Sequence, residues 1–596
     1  MCGIAGLLCT NAAAESETLL RNMQRAIAHR GPDDRGCWRA ASGQAAFAHS
    51  RLSIIDPSEA GHQPMAVSDG RFTIVYNGEI YNYAAIRKAL QASGVAFASN
   101  SDTEVILRLY ELEGPAAIER LRGMFAFAIW DERERTCFLA RDRFGIKPLF
   151  YHQVGGRLLF ASELRALLAA GIPSALDATA AYHFFRSGSV PEPNALIDGV
   201  RMLEAGHHLL WQEGKTVVRP YWKLAFPEEQ RPENSVALTR TALLDSISHH
   251  FVSDVPVGVF LSGGVDSTAI VALARQLRRG ELRTFSLTFP ESPLDEGPEA
   301  RRTAAHFGST HHEWALQGNT ARALFDDFIA AADQPSIDGF NTYCVCRLAR
   351  QHDTKVVLSG VGGDELFGGY PSFAAVPKLV SAARLARLGG VLSRAAVRTA
   401  AIAVGSRVGR LEDLLTGSPS LGAAYDVFRG IYTKREAWML AAHYTGRDPV
   451  LPANEPSAPN DPTPQDTVSR LELTKYMRNQ LLRDCDVMSM ASGVEVRVPF
   501  LDSRLFETIA AVPARERLQS HKWLLRKAVP ELPEWVTNRP KRGFFLPIAS
   551  WLSNEWAGTI RDPKLPAQIA MDTWYRKWAV LSFECWLRQH APAHGR

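Results

Sequence analysis

One segment restricts the fold of this chain more than any other. In 257-VGVFLSGGVDSTAIVALA-274 an apolar run leads into a glycine-rich turn and then directly into a helical pattern. Similar apolar runs at 283-RTFSLTF-289 and 355-KVVLSG-360 alternate with helical stretches. Short apolar runs separated by helices are typical of a parallel sheet with crossover helices. The second half of the chain is therefore predicted to be α/β.

The first half shows a different pattern. Short apolar runs at 72-FTIVYNG-78, 124-MFAFAIWD-131 and 137-CFLARD-142 end in turn residues, and the helical stretch 103-TEVILRLYELEG-114 lies between them. This order predicts layers of antiparallel sheet and helix, an α+β arrangement.

The boundary between the two halves is predicted from a change in composition. The segment 219-RPYWKLAFPEEQRPEN-234 combines three prolines with mixed charges and has no periodicity, as is typical of a linker. We therefore predict one domain over residues 1–218, a linker over 219–234 and a second domain over 235–596.

Composition excludes several classes of protein. The chain has 67 basic and 63 acidic residues among 596, a net charge of +4, which is too weak to indicate a nucleic acid or an anionic membrane as partner. No apolar run reaches the roughly 18 residues of a membrane-spanning helix. The eight cysteines include no C-x-x-C pair, which favours reduced thiols in a cytoplasmic protein. The pair 344-CVC-346 alternates as a strand would.

Cys2 follows the initiator methionine directly. Removal of that methionine would leave a thiol and a free α-amine on one residue. The amine, with a pKa of about 8 in peptides, can take the thiol proton and so generate a nucleophilic thiolate. A lone cysteine at this position is more often a small buried residue, so the interpretation depends on the other motifs.

Six motifs follow one another along the first 200 or so residues. They are MCGIAG at the N-terminus, 29-HRGPDD-34, 49-HSRLSIID-56, 76-YNGEIYN-82, 101-SDTEVIL-107 and 141-RDRFGIKPLFY-151. In this order they resemble the class II glutamine amidotransferase domain. The resemblance implies an Ntn-type αββα sandwich in which Cys2 attacks the side-chain amide of glutamine and releases ammonia.

The same resemblance implies roles for five residues around the substrate. Asn77 and the backbone N–H of Gly78 would form the oxyanion hole. Arg51 would bind the α-carboxylate of glutamine, and Glu79 and Asp102 would bind its α-ammonium. Taken singly, a hairpin turn at 77–78, a surface arginine and a helix N-cap explain these residues equally well.

The string 262-SGGVDS-267 resembles the PP-loop of ATP pyrophosphatases, proteins with an adenine nucleotide alpha hydrolase-like fold. Backbone N–H groups of Ser262, Gly263 and Gly264, the two serine hydroxyls and the helix N-terminus would together bind phosphate. A glycine-rich turn in which Ser267 caps the helix is the alternative.

A second glycine-rich turn lies in 356-VVLSGVGGDELFGGY-370. Asp266 and Asp364 are the predicted ligands of Mg²⁺, which prefers hard oxygens and bridges phosphates. By resemblance, four further residues border the adenine and ribose of ATP, although ordinary packing at strand ends also explains them. These are Leu261, Leu287, Ser359 and Gly360.

The segments 481–505 and 539–552 extend the likeness to the asparagine synthetase family over nearly the whole chain. In that family the lysine matching Lys541 faces an adenylate intermediate. The resemblance implies a ligase that adenylates a carboxylate with MgATP and then aminates it with ammonia from glutamine. The products would be an amide, AMP, pyrophosphate and glutamate, and aspartate is the first expectation for the acceptor.

Two positions depart from the pattern of the family where the acceptor should bind. Val361 stands where an acidic residue is common, and Gln334 replaces the acid of the usual D-E-P. Another acceptor, such as a sugar uronate or a peptide or specialised-metabolite acid, therefore stays open. So does a different class of function, a glutamine-binding scaffold or sensor with an inactive ATP site. A homodimer is also left open.

Overall fold

The computed structural model describes residues 2–11, 16–228, 233–292, 295–390, 397, 406–452, 461–539, 546–558 and 565–591. Its first half contains twelve described strands. They are β1 (Gly3–Leu8), β2 (Asp34–Arg39), β3 (Ala45–Arg51), β4 (Met65–Val67), β5 (Phe72–Ile80), β6 (Gly123–Asp131), β7 (Thr136–Arg141), β8 (Phe150–Val154), β9 (Arg157–Ala161), β10 (Val200–Met202), β11 (His207–Gln212) and β12 (Lys215–Pro220).

These strands form two six-stranded sheets, ordered β10-β8-β9-β1-β3-β2 and β12-β11-β7-β6-β5-β4. Neighbouring strands pair in antiparallel fashion. The alternation of β6 explains how the second sheet is covered on both faces. Phe125 and Phe127 pack on one face against the helix Asp102–Glu113, while Ala126 and Trp130 pack on the other face between the two sheets.

The outer face of the first sheet is covered by two further helices, Ser16–Ala26 and Leu164–Ala169. Met23 and Leu164 pack there against β1 residues such as Leu7. The layers are therefore helix, sheet, sheet and helix, which confirms the predicted αββα sandwich.

The second half contains a five-stranded parallel sheet ordered β15-β14-β13-β16-β17. Because β13 and β16 are neighbours and parallel, the turns after them lie side by side, the usual position of a ligand in such a sheet. The predicted α/β character is confirmed. The strands are β13 (Val257–Phe260), β14 (Arg283–Thr288), β15 (Thr310–Ala315), β16 (Val356–Leu358) and β17 (Glu495–Arg497).

The remaining described segments are mainly helical. Strand β12 ends at Pro220 and the next helix begins at Ser235. The other α-helices are Tyr83–Ala92, Ala178–Ser187, Ser235–His250, Val265–Leu277, Gly297–His306, Gly318–Ala331, Phe340–Gln351, Gly363–Phe367, Ser372–Arg387, Ser406–Thr416, Leu421–Arg429, Lys434–Thr445, Pro464–Leu471, Arg483–Met490, Ser503–Ala510, Ala514–Arg517, Trp523–Ala528, Glu534–Thr537, Ile548–Ser553 and Trp574–His590, with a π-helical segment at Glu472–Leu482.

The strand predicted at 344-CVC-346 is wrong. Both cysteines lie inside the helix Phe340–Gln351, where Phe340, Cys344 and Leu348 recur at four-residue intervals and are buried. A three-residue alternation is too short to distinguish the two periodicities. Within the described ranges, no helix is both long enough and apolar enough to span a membrane.

Candidate active sites

Cys2 immediately precedes β1 and contacts β5 of the opposite sheet. Its backbone N–H donates to Asn77 Oδ1 over 2.9 Å, and its Sγ lies 3.9 Å from the carbonyl oxygen of Leu52. The residue is buried, with 8% of its surface exposed. Burial raises the pKa of the Cys2 thiol, against the lowering effect of the Leu52 contact and of Arg51. The thiol therefore needs a base when it acts as a nucleophile.

The residues predicted to form the oxyanion hole lie next to this thiol. Asn77 is completely buried, and its Nδ2 has no hydrogen-bond partner among the residues described. A buried amide donor without a partner costs free energy, which a bound oxyanion would recover. Gly78 follows in the same strand, where an added Cβ would lie 2.1 Å from the carbonyl oxygen of Met124. Only glycine fits there.

The substitution Asn77→Asp tests the donor alone. Aspartate keeps an oxygen that can accept the Cys2 N–H but has no Nδ2 donor. We expect kcat for glutamine hydrolysis to fall on the order of 100- to 1000-fold, the usual effect of losing one oxyanion donor. Release of glutamate measures the effect, with ammonia-dependent synthesis as the control for folding. A kcat within threefold of wild type would show that Asn77 is not a donor in the reaction.

Two predicted glutamine ligands are held by hydrogen bonds to neighbouring groups of the first half. The Arg51 guanidinium donates to the carbonyl oxygens of Ser58, at 2.9 Å, and of Ile55 and Asp56. Asp102 Oδ2 accepts from the Tyr76 hydroxyl at 2.8 Å and from the backbone N–H at position 80 at 3.0 Å. Burial raises the pKa of the Asp102 carboxyl.

The third predicted ligand, Glu79, contacts the second half of the chain. Its Oε2 accepts from Arg497 over 2.8 Å, whereas its Oε1 is buried and has no hydrogen-bond partner in the described ranges. Burial raises the pKa of the Glu79 carboxyl, with Arg497 opposing the shift. Glu79 lies two positions after Asn77 in β5, and Asn77 contacts Cys2.

The sequence did not indicate a role for Arg30, although the residue lies in the motif 29-HRGPDD-34. It is completely buried, and its Nε donates to the carbonyl oxygen of Cys2 over 3.0 Å. Its two terminal nitrogens donate to Glu163, at 2.7 Å, and to Asp486 of the second half, at 2.8 Å. Arg30 therefore fixes the backbone of Cys2 and connects it to the other half.

The predicted phosphate loop is held by hydrogen bonds among its own residues. The backbone N–H of Ser262 donates to Ser267 Oγ at 3.2 Å, the two hydroxyls lie 3.0 Å apart, and the N–H of Gly264 donates to Ser262 Oγ at 3.2 Å. The helix Val265–Leu277 starts immediately afterwards with Gly264 at its N-cap. Ser267 lies within the first turn and is not the cap.

The predicted metal ligands Asp266 and Asp364 converge on one cation, because both carboxylates contact Lys522 Nζ. Although burial disfavours the charged amine, the two carboxylates raise the pKa of Lys522. An added Cβ at Gly363 would lie 2.6 Å from Asp266 Cγ, and one at Gly369 would lie 1.7 Å from Asp364 Oδ1. This glycine cradle and its two carboxylates fit Mg²⁺, which usually takes one or two protein carboxylates together with phosphate oxygens and water.

The residues predicted to border adenine and ribose lie at the carboxyl ends of β13, β14 and β16. Leu261 and Leu287 are buried, with 1% and 4% of their surfaces exposed. Ser359 donates its N–H to the carbonyl oxygen of Arg497 over 2.8 Å, and a Cβ at Gly360 would lie 3.1 Å from that of Asp266. Lys541 lies outside the described residues.

Arg539 is a second residue that sequence reasoning left without a role. An added Cβ at Gly263 of the phosphate loop would lie 2.9 Å from its Nη1. Both Nη atoms are buried without a hydrogen-bond partner in the part of the chain described, and Nη1 lies 3.5 Å from a Glu299 carboxylate oxygen. A guanidinium in this position suits a phosphate group.

The two positions that depart from the family pattern offer no acidic group to an acceptor. Val361 is half-buried against apolar residues of the second half. Gln334 is buried, and its Oε1 accepts from the backbone N–H of Leu196 at 2.8 Å. A carboxyl group does lie four positions after Val361, at Glu365. Burial raises the pKa of this carboxyl to about 7, and the charge of Asp364 contributes to the increase.

Comparison with known proteins matches each half of the chain to a family. Residues 1–222 match a family described as glutamine amidotransferase domain, and residues 238–588 match asparagine synthase. Asparagine synthetase [glutamine-hydrolyzing] 1 of Bacillus subtilis is 34% identical over 94% of this chain and 89% of its own length. A putative asparagine synthetase of Mycobacterium tuberculosis is also 34% identical, over 94% and 90%.

A relative with a different name matches over a similar length. Amidase chry2 of Gibberella zeae is 28% identical over 92% of this chain and 90% of its own length. The match to the asparagine synthase family covers more than half of the chain, and the Bacillus subtilis relative covers nearly all of it. The chain therefore belongs to the family of glutamine-hydrolysing asparagine synthetases.

Proposed function

We propose that the protein uses ammonia from glutamine to amidate a carboxylate that it first activates with ATP. The observation that supports this most directly is the buried network through Arg30. That residue hydrogen-bonds both to the carbonyl of Cys2 and to Asp486 of the second half. Cys2 lies beside Asn77, whose amide donor has no partner among the residues described. The network thereby connects this proposed nucleophile to the half that carries the proposed phosphate loop.

In the first reaction Cys2 attacks the side-chain amide carbon of glutamine. Charge develops on the amide oxygen, where Asn77 Nδ2 and the N–H of Gly78 stabilise it. The α-amine of Cys2 takes the thiol proton and passes it to the departing nitrogen, so that collapse of this intermediate expels ammonia and leaves a thioester on Cys2, which water hydrolyses to glutamate. Arg51, Glu79 and Asp102 hold the α-groups of the substrate during these steps.

In the second reaction the acceptor carboxylate attacks the α-phosphorus of ATP, and pyrophosphate leaves. The loop 262–267 binds the phosphates through its N–H groups and the helix N-terminus. Mg²⁺ held by Asp266 and Asp364 would neutralise phosphate charge. Lys522 contacts both carboxylates, and Arg539 lies beside the loop.

Ammonia then displaces AMP from the acyl adenylate to form the amide. It must travel between the sites shielded from water, because protonation to ammonium would abolish its nucleophilicity. Lys541 is proposed to face the adenylate and to stabilise negative charge there.

We propose aspartate as the first candidate acceptor, which would make the protein an asparagine synthetase in activity as well as in family. A second candidate is another carboxylate, such as a uronate or a peptide or specialised-metabolite acid. Two observations favour it: Val361 and Gln334 provide no acidic group, and one relative bears the name amidase.

An acceptor screen decides between these candidates. Purified protein with glutamine and MgATP is given aspartate, uronates, or peptide acids in turn, and pyrophosphate release is measured. Release on addition of aspartate, with asparagine formed, would eliminate the second candidate. Release with another acid alone would eliminate aspartate. If no acid elicits pyrophosphate release while glutamine is still hydrolysed or bound, a scaffold or sensor with an inactive ATP site is the better description.

A further inference from the structure

A buried ion-pair cluster contributed mainly by the second half lies against the predicted glutamine site. Its centre is Arg497 of β17, which is completely buried. The guanidinium donates to Glu79 Oε2 at 2.8 Å and to Glu495 Oε1 at 2.6 Å. It also donates to the carbonyl oxygens of His250, at 2.9 Å, and Val252, at 2.6 Å. These contacts leave the guanidinium little freedom.

The cluster leaves one oxygen of Glu79 available for a ligand. Glu79 Oε1 is buried and has no hydrogen-bond partner among the described residues. A buried carboxylate oxygen is costly unless a donor reaches it. Glu79 lies two residues after Asn77 in β5, so both side chains are on the same face of the strand. That face carries the contact between Asn77 Oδ1 and the backbone N–H of Cys2.

We propose that Arg497 is a positioning residue of the glutamine site. By fixing Oε2 of Glu79, it orients Oε1 to accept from the α-ammonium of glutamine. The proposal rests on the proposed function, because it assumes that glutamine is bound beside Cys2. It implies that the second half completes a substrate pocket whose nucleophile comes from the first half.

The test compares glutamine with glutaramate, which has the terminal amide and the carboxylate of glutamine but no α-amino group. Both substrates are assayed with the wild-type full chain and with Arg497→Gln and Arg497→Lys. For Arg497→Gln we expect KM for glutamine to rise on the order of 100-fold, the usual loss when one partner of a buried charge pair is removed. The kcat should change less than about threefold, and KM for glutaramate should stay nearly constant.

The expected signature is therefore the loss of the preference for glutamine over glutaramate. A purely structural defect would affect both substrates alike. Arg497→Lys keeps a positive charge and should recover part of the preference; it also carries the test if Arg497→Gln does not fold. The preference retained in both variants would overturn the proposal.

Arg122→Gln is the matched control. Arg122 is also buried and also joins the two halves, donating to Asp502 at 2.7 and 2.9 Å and to Asp245 at 2.6 Å. Its partners are not predicted glutamine ligands, so the preference should persist. The same loss in Arg122→Gln would overturn the proposal. A wild-type protein that does not hydrolyse glutamine would instead refute the proposed function.

Discussion

Cys2→Ala is expected to abolish glutamine hydrolysis while ammonia-dependent synthesis continues. Alanine removes the only atom that can form the thioester, and losing a catalytic nucleophile reduces kcat by roughly 10⁴-fold or more. The phosphate loop and the aspartate pair lie in the other half, so externally added ammonia should still aminate the adenylate. The amide product is measured with glutamine and with ammonium chloride as alternative nitrogen donors.

Cys137→Ala is a suitable control for this experiment. Cys137 is another buried cysteine of the first half, located in β7, and its replacement should leave use of glutamine in place. Loss of both activities in Cys2→Ala, with a normally folded protein, would show that the two reactions are not divided between the halves as proposed.

Asp364→Asn is expected to impair the ATP-dependent reaction and to leave glutamine hydrolysis intact, the reverse of the effect of Cys2→Ala. Asparagine preserves the shape of the side chain but removes one of the two carboxylates that converge on Lys522. Because Mg²⁺ binding depends on these hard anionic oxygens, we expect pyrophosphate release to fall on the order of 100-fold or more. Glutamine hydrolysis should continue, since Cys2 and Asn77 are unaffected.

Asp426→Asn provides the comparison for this change. Asp426 also pairs with a lysine, Lys475, at 2.6 Å, but it lies on another helix and outside both glycine-rich turns. Its replacement should leave pyrophosphate release within about twofold of wild type. A wild-type rate in Asp364→Asn at limiting magnesium would contradict the assignment of Asp364 as a metal ligand.

Much of the fold follows from local pattern. The short apolar run 124–131 predicts a strand, and it forms β6, which is covered by a helix layer and by the opposite sheet. The turn 262–267 connects a strand to a helix, as its glycines and apolar flanks predict. Such features depend on neighbours in sequence, which a single chain displays directly.

The site is harder to predict because its contacts join distant parts of the chain. The Cys2–Asn77 bond spans 75 positions and the Arg497–Glu79 bond spans 418. An arginine that pairs in the interior has the same local sequence appearance as one exposed to water. Arg30, Arg497 and Arg539 therefore received no role from sequence, although all three lie in segments that resemble the family.

The buried arginines that pair with carboxylates of the other half also limit the replacement of one half by the corresponding half of a relative. Arg30 to Asp486, Arg122 to Asp502 and Arg497 to Glu79 each place one charge in one half and its counter-charge in the other. Breaking a buried pair by removing one partner typically costs about 3–5 kcal/mol. A chimera that joins this first half to the second half of a relative must therefore supply all three counter-charges at matching positions. Recombination at the linker alone would not preserve the enzyme unless the new second half carried them.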